Sequence, residues 1–449
     1  MKQLFLLLLT VIFCGLAYSQ TAVLPGDGTL SAALAAASDG AVLQLSPGGL
    51  YTENIQFLLD SLKARKIMLL GRANVSQTMP KVTLTTPGGT RNFFLLYNGA
   101  SLKVKGIEFD GTDSVAHLVQ CVFTGTANTD TMHFGYIIVD DCEIHHLTNT
   151  VIEGAGSKYS YTDSVIVNNT IMHDSKTTIH FKAAAVDYLS IKNSTFYRIR
   201  SYGLRIGGPG NAGLANHTTE AVIDHTTWND ITKTDERQVL LCEGGTGANL
   251  KQWTVKNSII ANQSHAVQQN QNAISLKGMA NGAIINNMCF WDLSNPAAAI
   301  NSNTPLHIVA DTISMNPQFK DTANGDFTIQ NAALPKGADG LVLGDTRWGP
   351  RTAVDDVVSG LPREFSVDQN FPNPFNPTTS IRFSLPRASN VSVKVFTLLG
   401  QEVASVFSGY KAAGVHTMPF NAAHLGSGVY FYKVEAGKFV DVKKMVLVK

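Results

Sequence analysis

From about residue 101 to 314 one arrangement of apolar and polar positions recurs along the chain. An aliphatic residue is followed by any residue, then by a small polar one, two further positions and an apolar one. The copies begin with Val104-Lys105-Gly106 and Val139-Asp140-Asp141, then Val167-Asn168-Asn169 and Ile191-Lys192-Asn193. Ile223-Asp224-His225, Val255-Lys256-Asn257, Ile285-Asn286-Asn287 and Val309-Ala310-Asp311 continue the series. The interval varies over about 24–35 residues, within the range of stacked repeat architectures. Each unit is too short to bury an apolar face alone, so neighbouring units must cover one another. Within each unit, short alternating runs are separated by Gly, Asn and Ser turns, with no helix-length amphipathic pattern. A propeller needs longer units with four strands each, and the Leu and Asn spacing of a leucine-rich repeat is missing. The pattern predicts an all-β chain built on a right-handed parallel β-helix. The Asn positions are expected to form an internal ladder at one corner.

The flanks read differently. Residues 22–100 begin the coil, and residues 30–37 form a short helix placed to cover its open end. Residues 316–319 and 324–329 are expected to close the far end. Residues 380–385, 391–396, 428–434 and 443–448 alternate as short strands with turn signals between them, which predicts an immunoglobulin-like β-sandwich. The expected organisation is a signal peptide at 1–19, the β-helix at 20–345, a linker at 346–364 and the sandwich at 365–449.

Composition narrows the function. The formal net charge is +1, and only 15% of residues are charged. No global field favours nucleic acid or a membrane surface. Lys2, the apolar run 4–17 and Ala17-Tyr18-Ser19 have the form of a secretory signal cleaved before Gln20, and no other stretch is long enough to span a bilayer. A monomer is expected. Cys121, Cys142, Cys242 and Cys289 remain after cleavage. Their spacing matches neither a disulfide scaffold nor a zinc motif, so they read as buried free thiols. His145 and His146 are chain neighbours, which on a strand face opposite ways. No metal site is predicted from them.

Candidate chemistry lies on the short strand preceding each repeat motif. If Ile179 and Phe181 point inward, His180 and Lys182 point outward. By the same alternation Glu153, Arg205, Glu243, Ser275 and Lys277 face out. Stacked in register, Glu153, Lys182, Arg205, Glu243 and Lys277 make a charged stripe. Adjacent rungs lie about 4.8 Å apart, so Lys182 and Arg205 come within reach of one sugar unit. That pairing suits β-elimination on an acidic polysaccharide. An Arg fork neutralises the uronate carboxylate, and a Lys takes the α-proton when a neighbouring cation lowers its pKa. His180, Glu153, Glu243 and Lys277 are the expected substrate contacts. Two rivals remain open. A polygalacturonase-type glycoside hydrolase would draw on Glu153 and Glu243. A non-catalytic glycan-binding or adhesin solenoid needs neither role.

Two resemblances sharpen these readings. The segments NFPNPFNPTTSIRFSLP, VKVFTLLGQEV, LGSGVYFYKVEAG and KKMVLVK resemble the C-terminal sorting domain of type IX secretion substrates. This implies handling by the type IX machinery and a secreted or surface-attached product. The stretch HFKAAAVDYLSIKNSTFYRIRSYGLRIGG resembles the catalytic region of the chondroitinase-B and alginate-lyase family, which has a pectin-lyase-like solenoid. The resemblance implies that Lys182 is the Brønsted base, Asn193-Ser194-Thr195-Phe196 the intervening turn and Arg205 the carboxylate partner. Ile206 replaces the family's histidine after the arginine. Ser175 and Thr177 stand where the family has acidic calcium ligands, so no cofactor is assigned and calcium stays open with its family ligands unmatched.

Overall fold

The computed structural model describes residues 20–349 and 365–448, apart from segments 54–56, 59–64, 85–91, 123, 125–130, 157–158, 183, 208–218, 232–237, 244–249, 264–272, 277–282, 294–298, 303–307, 338, 371, 386–388, 399, 412–413 and 438. Two compact units result, divided after Pro350.

The first unit is a parallel β-helix. In every copy of the repeat the third residue is left-handed: Gly106, Asp141, Asn169, Asn193, His225, Asn257, Asn287 and Asp311 have φ between 46° and 68°. Glycine and short polar side chains tolerate this conformation best, which explains the residue choice. The turn bends each coil alike, so equivalent strands stack. Val167 pairs with Ile191, Ile191 with Ile223, Ile223 with Val255 and Val255 with Ile285, all in parallel. Beyond the turn, Met172, Phe196, Trp228, Ile260 and Phe290 form a second inward column. Both columns belong to one buried apolar core that runs along the solenoid.

The amide ladder lies outside the corner, not inside it. Asn257 Nδ2 donates to Asp224 Oδ1 at 2.9 Å, and Asn287 Nδ2 donates to Asn257 Oδ1 at 3.1 Å. The internal polar ladder sits one residue later and is made of hydroxyls. Thr170 N–H donates to Ser194 Oγ (3.2 Å) and Thr226 N–H to Ser258 Oγ (3.0 Å), while Ser194 and Ser258 donate to the carbonyls of Lys192 and Lys256. A left-handed residue interrupts strand alternation, which sends its side chain outward and the next one inward.

The helix Thr29–Ala36 packs Leu30 and Leu34 into the solenoid core. Its first residues have no side-chain cap of their own. The buried Glu53 carboxylate accepts from Leu30 N–H (2.9 Å) and Ser31 N–H (3.3 Å) instead.

Residues 316–349 are a strap, not an end cap. The hairpin of Phe319–Asp321 and Asp326–Ile329 places Phe327 against Tyr197 (5.0 Å between rings), several rungs back. The chain then steps backward across successive corners. Gly344 N–H donates to Asn257 O (2.8 Å), Asp345 N–H to Thr227 Oγ1 (2.9 Å) and Arg347 Nη1 to Asn169 O (3.1 Å). Asp345 is fully buried, accepts from Thr195 Oγ1 at 2.7 Å and pairs with Arg347. The bonded chain of the first unit therefore runs through Gly349, past the 345/346 boundary expected from the sequence. A purely local reading of Pro350 and the nearby charges had no means of seeing these long-range bonds.

The second unit holds two antiparallel sheets: Ser366–Val367, Thr378–Leu385 and Gly414–Asn421 in one, Glu402–Lys411, Ser389–Thr397, Gly428–Ala436 and Phe439–Leu447 in the other. Their facing side chains, including Phe383, Val393, Tyr432 and Met445, form a separate core. This is the expected β-sandwich. The strands Glu402–Lys411 and Gly414–Asn421, one in each sheet, were not foreseen, because few of their side chains are fully buried.

The four described cysteines, Cys121, Cys142, Cys242 and Cys289, are buried thiols outside any disulfide. Burial pushes the Cys142 thiol up to about 12 and that of Cys289 up to about 11. Alkylation in native buffer is therefore expected to leave all four thiols unmodified, with labelling only in denaturant, as counted by intact mass. The strap gives a second expectation. Arg347→Ala strands the buried Asp345 carboxylate and is expected to lower unfolding free energy by about 3 kcal/mol or more in denaturant titration.

Candidate functional site

Nine parallel strands form the sheet that carries the candidate stripe. Ile152, Ile179, Leu204 and Ile206 are fully buried on its inner side. Its outer side presents Gln120, Glu153, His180 and Arg205 as one column, each one rung from the next. The column continues as Leu241 and Ser275. Both of these are buried, so Ser275 is not the exposed residue that alternation suggests.

Arg205 therefore lies beside His180, not beside Lys182. One position past the Phe181–Ile206 pair, Lys182 comes against Gly207, where a Cβ would lie 2.0 Å from the Lys182 carbonyl oxygen. Glycine is required there by this close approach. Lys182 sits in the bend just after the strand Thr177–Phe181 and is exposed. Its Cα stands diagonally about 8 Å from that of Arg205, from two residues of strand rise and one rung of separation. The backbone of Glu243 pairs with Gly207, which puts Glu243 in the Lys182 column. The single stripe is thus two parallel columns. Lys277 lies outside the described residues.

A cleft of about 370 Å³ opens along the first column. Glu153, His180 and Arg205 line it, together with His117, Gln120, Lys176 and Tyr202; Lys182 stands beyond its edge. Glu153 holds His180 Nδ1 at 3.0 Å, while His180 Nε2 is enclosed and has no hydrogen-bond partner. The Arg205 guanidinium lies 4.8 Å from the centre of the Tyr202 ring, a cation–π contact that limits where the fork can point. His117 Nδ1 donates to Thr150 O at 2.7 Å. Burial pushes the His117 imidazole below its ordinary value, against the raising effect of that hydrogen bond. The lining is polar and mixed in charge, which suits a hydroxyl-rich, anionic ligand better than an apolar one.

Sequence reasoning missed His117, Gln120, Lys176 and Tyr202. Gln120 was within reach of the same alternation rule, because Val119 and Cys121 are buried on either side of it, whereas that rule turns His117, three positions earlier, to the opposite face. Lys176 and Tyr202 lie in or beside turns, where alternation carries no information.

The two positions aligned with the family's calcium ligands carry hydroxyls. Ser175 is fully buried with its hydroxyl lacking a partner, and Thr177 is 4% exposed. Calcium takes six to eight oxygen ligands, carboxylates prominent among them. These two neutral hydroxyls do not fit it.

Residues 369–449 match the secretion system C-terminal sorting domain. This chain carries a type IX sorting tail. The tail marks the protein for export to the medium or the cell surface. No helix among the described residues is long and apolar enough to cross a membrane. Within the solenoid, residues 65–199 and 221–348 match two domains of unknown function, DUF4957 and DUF5123. No curated protein matches the chain. Among solved structures, a PL6 family alginate lyase, AlyGC, is similar at 12% identity and a TM-score of 0.40, over 66% of this chain and 40% of the lyase. ORF18 of Geobacillus virus E2 is similar at 11% identity and a TM-score of 0.36, over 95% of this chain and 76% of that one.

A pH prediction follows from His117. Its folded pKa lies below the ordinary 6.5, so the unfolded chain binds more protons as pH falls through that value. Its contribution to stability is complete above about pH 6.5 and is lost on acidification. His117→Gln is expected to flatten the stability–pH curve below that point, with a histidine NMR titration locating the depressed pKa.

Proposed function

We propose that this protein is an exported polysaccharide lyase acting on a uronate-containing polymer by β-elimination. The observation that carries the reading is the outward alignment of Glu153, His180 and Arg205 along the cleft, with Lys182 exposed just past the end of the His180 strand. Arg205 pairs with the uronate carboxylate and delocalises the charge that develops when the C5 proton leaves. Lys182 Nζ takes that proton. The C5–H electron pair forms the C4=C5 double bond as the C4–O bond breaks, and water supplies a proton to the departing oxygen. Glu153 and His180 act as positioning residues: the carboxylate fixes the imidazole, and the imidazole bounds the Arg205 side of the cleft. His180 is not assigned as the base because its Nε2 is enclosed.

A non-catalytic glycan-binding solenoid is the second reading, favoured by the position of Lys182 outside the cleft lining. The hydrolase reading has less support. It needs two carboxylates flanking the scissile bond. Among the described lining residues Glu153 is the sole carboxylate, and His180 engages it.

An ultraviolet assay for unsaturated uronate products, run over alginate, pectate and glycosaminoglycans, tests all three. The lyase is expected to give absorbing products from at least one polymer. Lys182→Ala and Arg205→Ala should each lower kcat/KM by roughly 10²–10³-fold. Arg205→Lys should rescue little, because it lacks the bidentate fork. New reducing ends without absorbance indicate the hydrolase, and binding without cleavage indicates the glycan-binding protein. Full lyase activity in Lys182→Ala sinks the assignment of the base.

A further inference from the structure

The corner on which His146 sits behaves unlike a strand. His146 has φ 54°, so the alternation that should send His145 and His146 to opposite faces fails there. Their Nδ1 atoms instead face each other at 2.8 Å. Asp110, the cross-rung partner of His145, brings Oδ1 to 3.1 Å from His146 Nδ1 and 3.6 Å from His145 Nδ1. These three donors are the one group among the described residues whose ligand atoms could converge on an ion. The local backbone is shaped to allow it. A Cβ at Gly111 would lie 2.5 Å from the His146 carbonyl oxygen, so only glycine lets the chain after Asp110 pass this close.

We propose that Asp110, His145 and His146 form a binding site for a divalent transition cation of the zinc class. Bonds of about 2.0–2.1 Å in a tetrahedral site place donor atoms about 3.3–3.4 Å apart. The observed separations of 2.8, 3.1 and 3.6 Å bracket that edge, so shifts of a few tenths of an ångström suffice. Two imidazoles and one carboxylate select Zn²⁺ or its neighbours over calcium or magnesium, which prefer all-oxygen shells. The outer shell is also present. His145 Nε2 lies 3.2 Å from Glu108 Oε1, so Glu108 accepts its proton and leaves Nδ1 with a free lone pair, the carboxylate–histidine–metal arrangement. His173 stacks on His145 with ring centres 4.9 Å apart and fixes the plane of that ring.

Lys81 is the competing cation. It contacts Glu108 at 2.8 Å and Asp110 Oδ2 at 2.7 Å. It occupies the other Asp110 oxygen, while Oδ1 accepts from Thr112 N–H at 2.9 Å and keeps a second lone pair for the ion. With Lys81 positive and both carboxylates ionised, the pocket carries one net negative charge toward a dication. His146 is 42% exposed, whereas His145 and Asp110 are 9% and 13% exposed. The fourth ligand position therefore faces solvent and takes water. This site is distinct from the cleft, which none of its three ligands lines.

The test uses the full chain without a polyhistidine tag. Calorimetric titration with Zn²⁺ is expected to show one equivalent bound, and His146→Asn and Asp110→Asn should each weaken it at least 100-fold. Asn suits position 146 because it tolerates the left-handed backbone. Glu108→Gln is expected to cost about 10–100-fold. X-ray absorption of the zinc-loaded native chain provides a readout that needs no variant: two nitrogens at about 2.0–2.1 Å with oxygen completing the shell. Sulfur or purely oxygen coordination, unaltered affinity in His146→Asn, or no uptake of Zn²⁺ or Co²⁺ by the native chain overturns the site.

Discussion

The left-handed residue at each corner of the solenoid is the constraint on which the rest depends. Because Gly106, Asp141, Asn169, Asn193, His225, Asn257, Asn287 and Asp311 all turn the same way, every coil re-enters the sheet in the same phase. Phase decides which side chains are buried. A slip of one residue in any coil would exchange Ile179 and Phe181 for His180 and Lys182 in the core, burying charge without partners. The hydroxyls of Thr170, Ser194 and Ser258 reinforce the phase by bonding turn backbone from one rung to the next. The cleft is a consequence of this regularity, since its column exists only while four successive strands keep one register.

The strap adds a second kind of order. Stacked coils interact only with their neighbours, so a solenoid can fray or open locally between rungs. Residues 339–348 bond to corners that belong to several different coils, from Asn257 back to Asn169. The buried Asp345–Arg347 pair joins those coils into one cooperative unit. Thr195 and Thr227, which would otherwise present an outward polar column to water, become its acceptors and donors. The strap lies on the corner side of the molecule and leaves the cleft sheet uncovered by any of its described contacts.

How much of this was legible in the chain depended on the range of the interaction. Corner positions were readable because Asn, Asp and Gly are the residues that tolerate a left-handed backbone. Inward and outward facing was readable wherever the strand was regular, as at Ile179-His180-Phe181. Alternation cannot supply the offset between neighbouring strands. That is why Lys182 and Arg205 were expected side by side, whereas the register puts His180 next to Arg205 and moves Lys182 two positions along. The strap was unreadable because its partners lie far away in sequence: Arg347 and Asn169 bond across 178 residues.

The second set of left-handed residues shows where alternation fails in a useful way. His146, Asp174, Arg198, Asp230, Asn262 and Asp292 all have positive φ at the end of the next strand. At each such corner two consecutive side chains are released on the outer side, which a regular strand forbids. The results are pairs of adjacent residues in direct contact: His145 with His146 at 2.8 Å, His173 with Asp174 at 2.6 Å, and the Arg198 guanidinium over the Tyr197 ring at 4.6 Å. Cross-rung stacking then aligns these pairs, as His145, His173 and Tyr197 stack in sequence. Sheet faces in this fold offer one functional side chain per two residues. Left-handed corners offer two in a row, held by backbone geometry and repeated every coil. Chemistry that needs convergent donors is therefore easier to assemble at the corners, while recognition of a long polymer suits the flat, regularly spaced columns of the sheet.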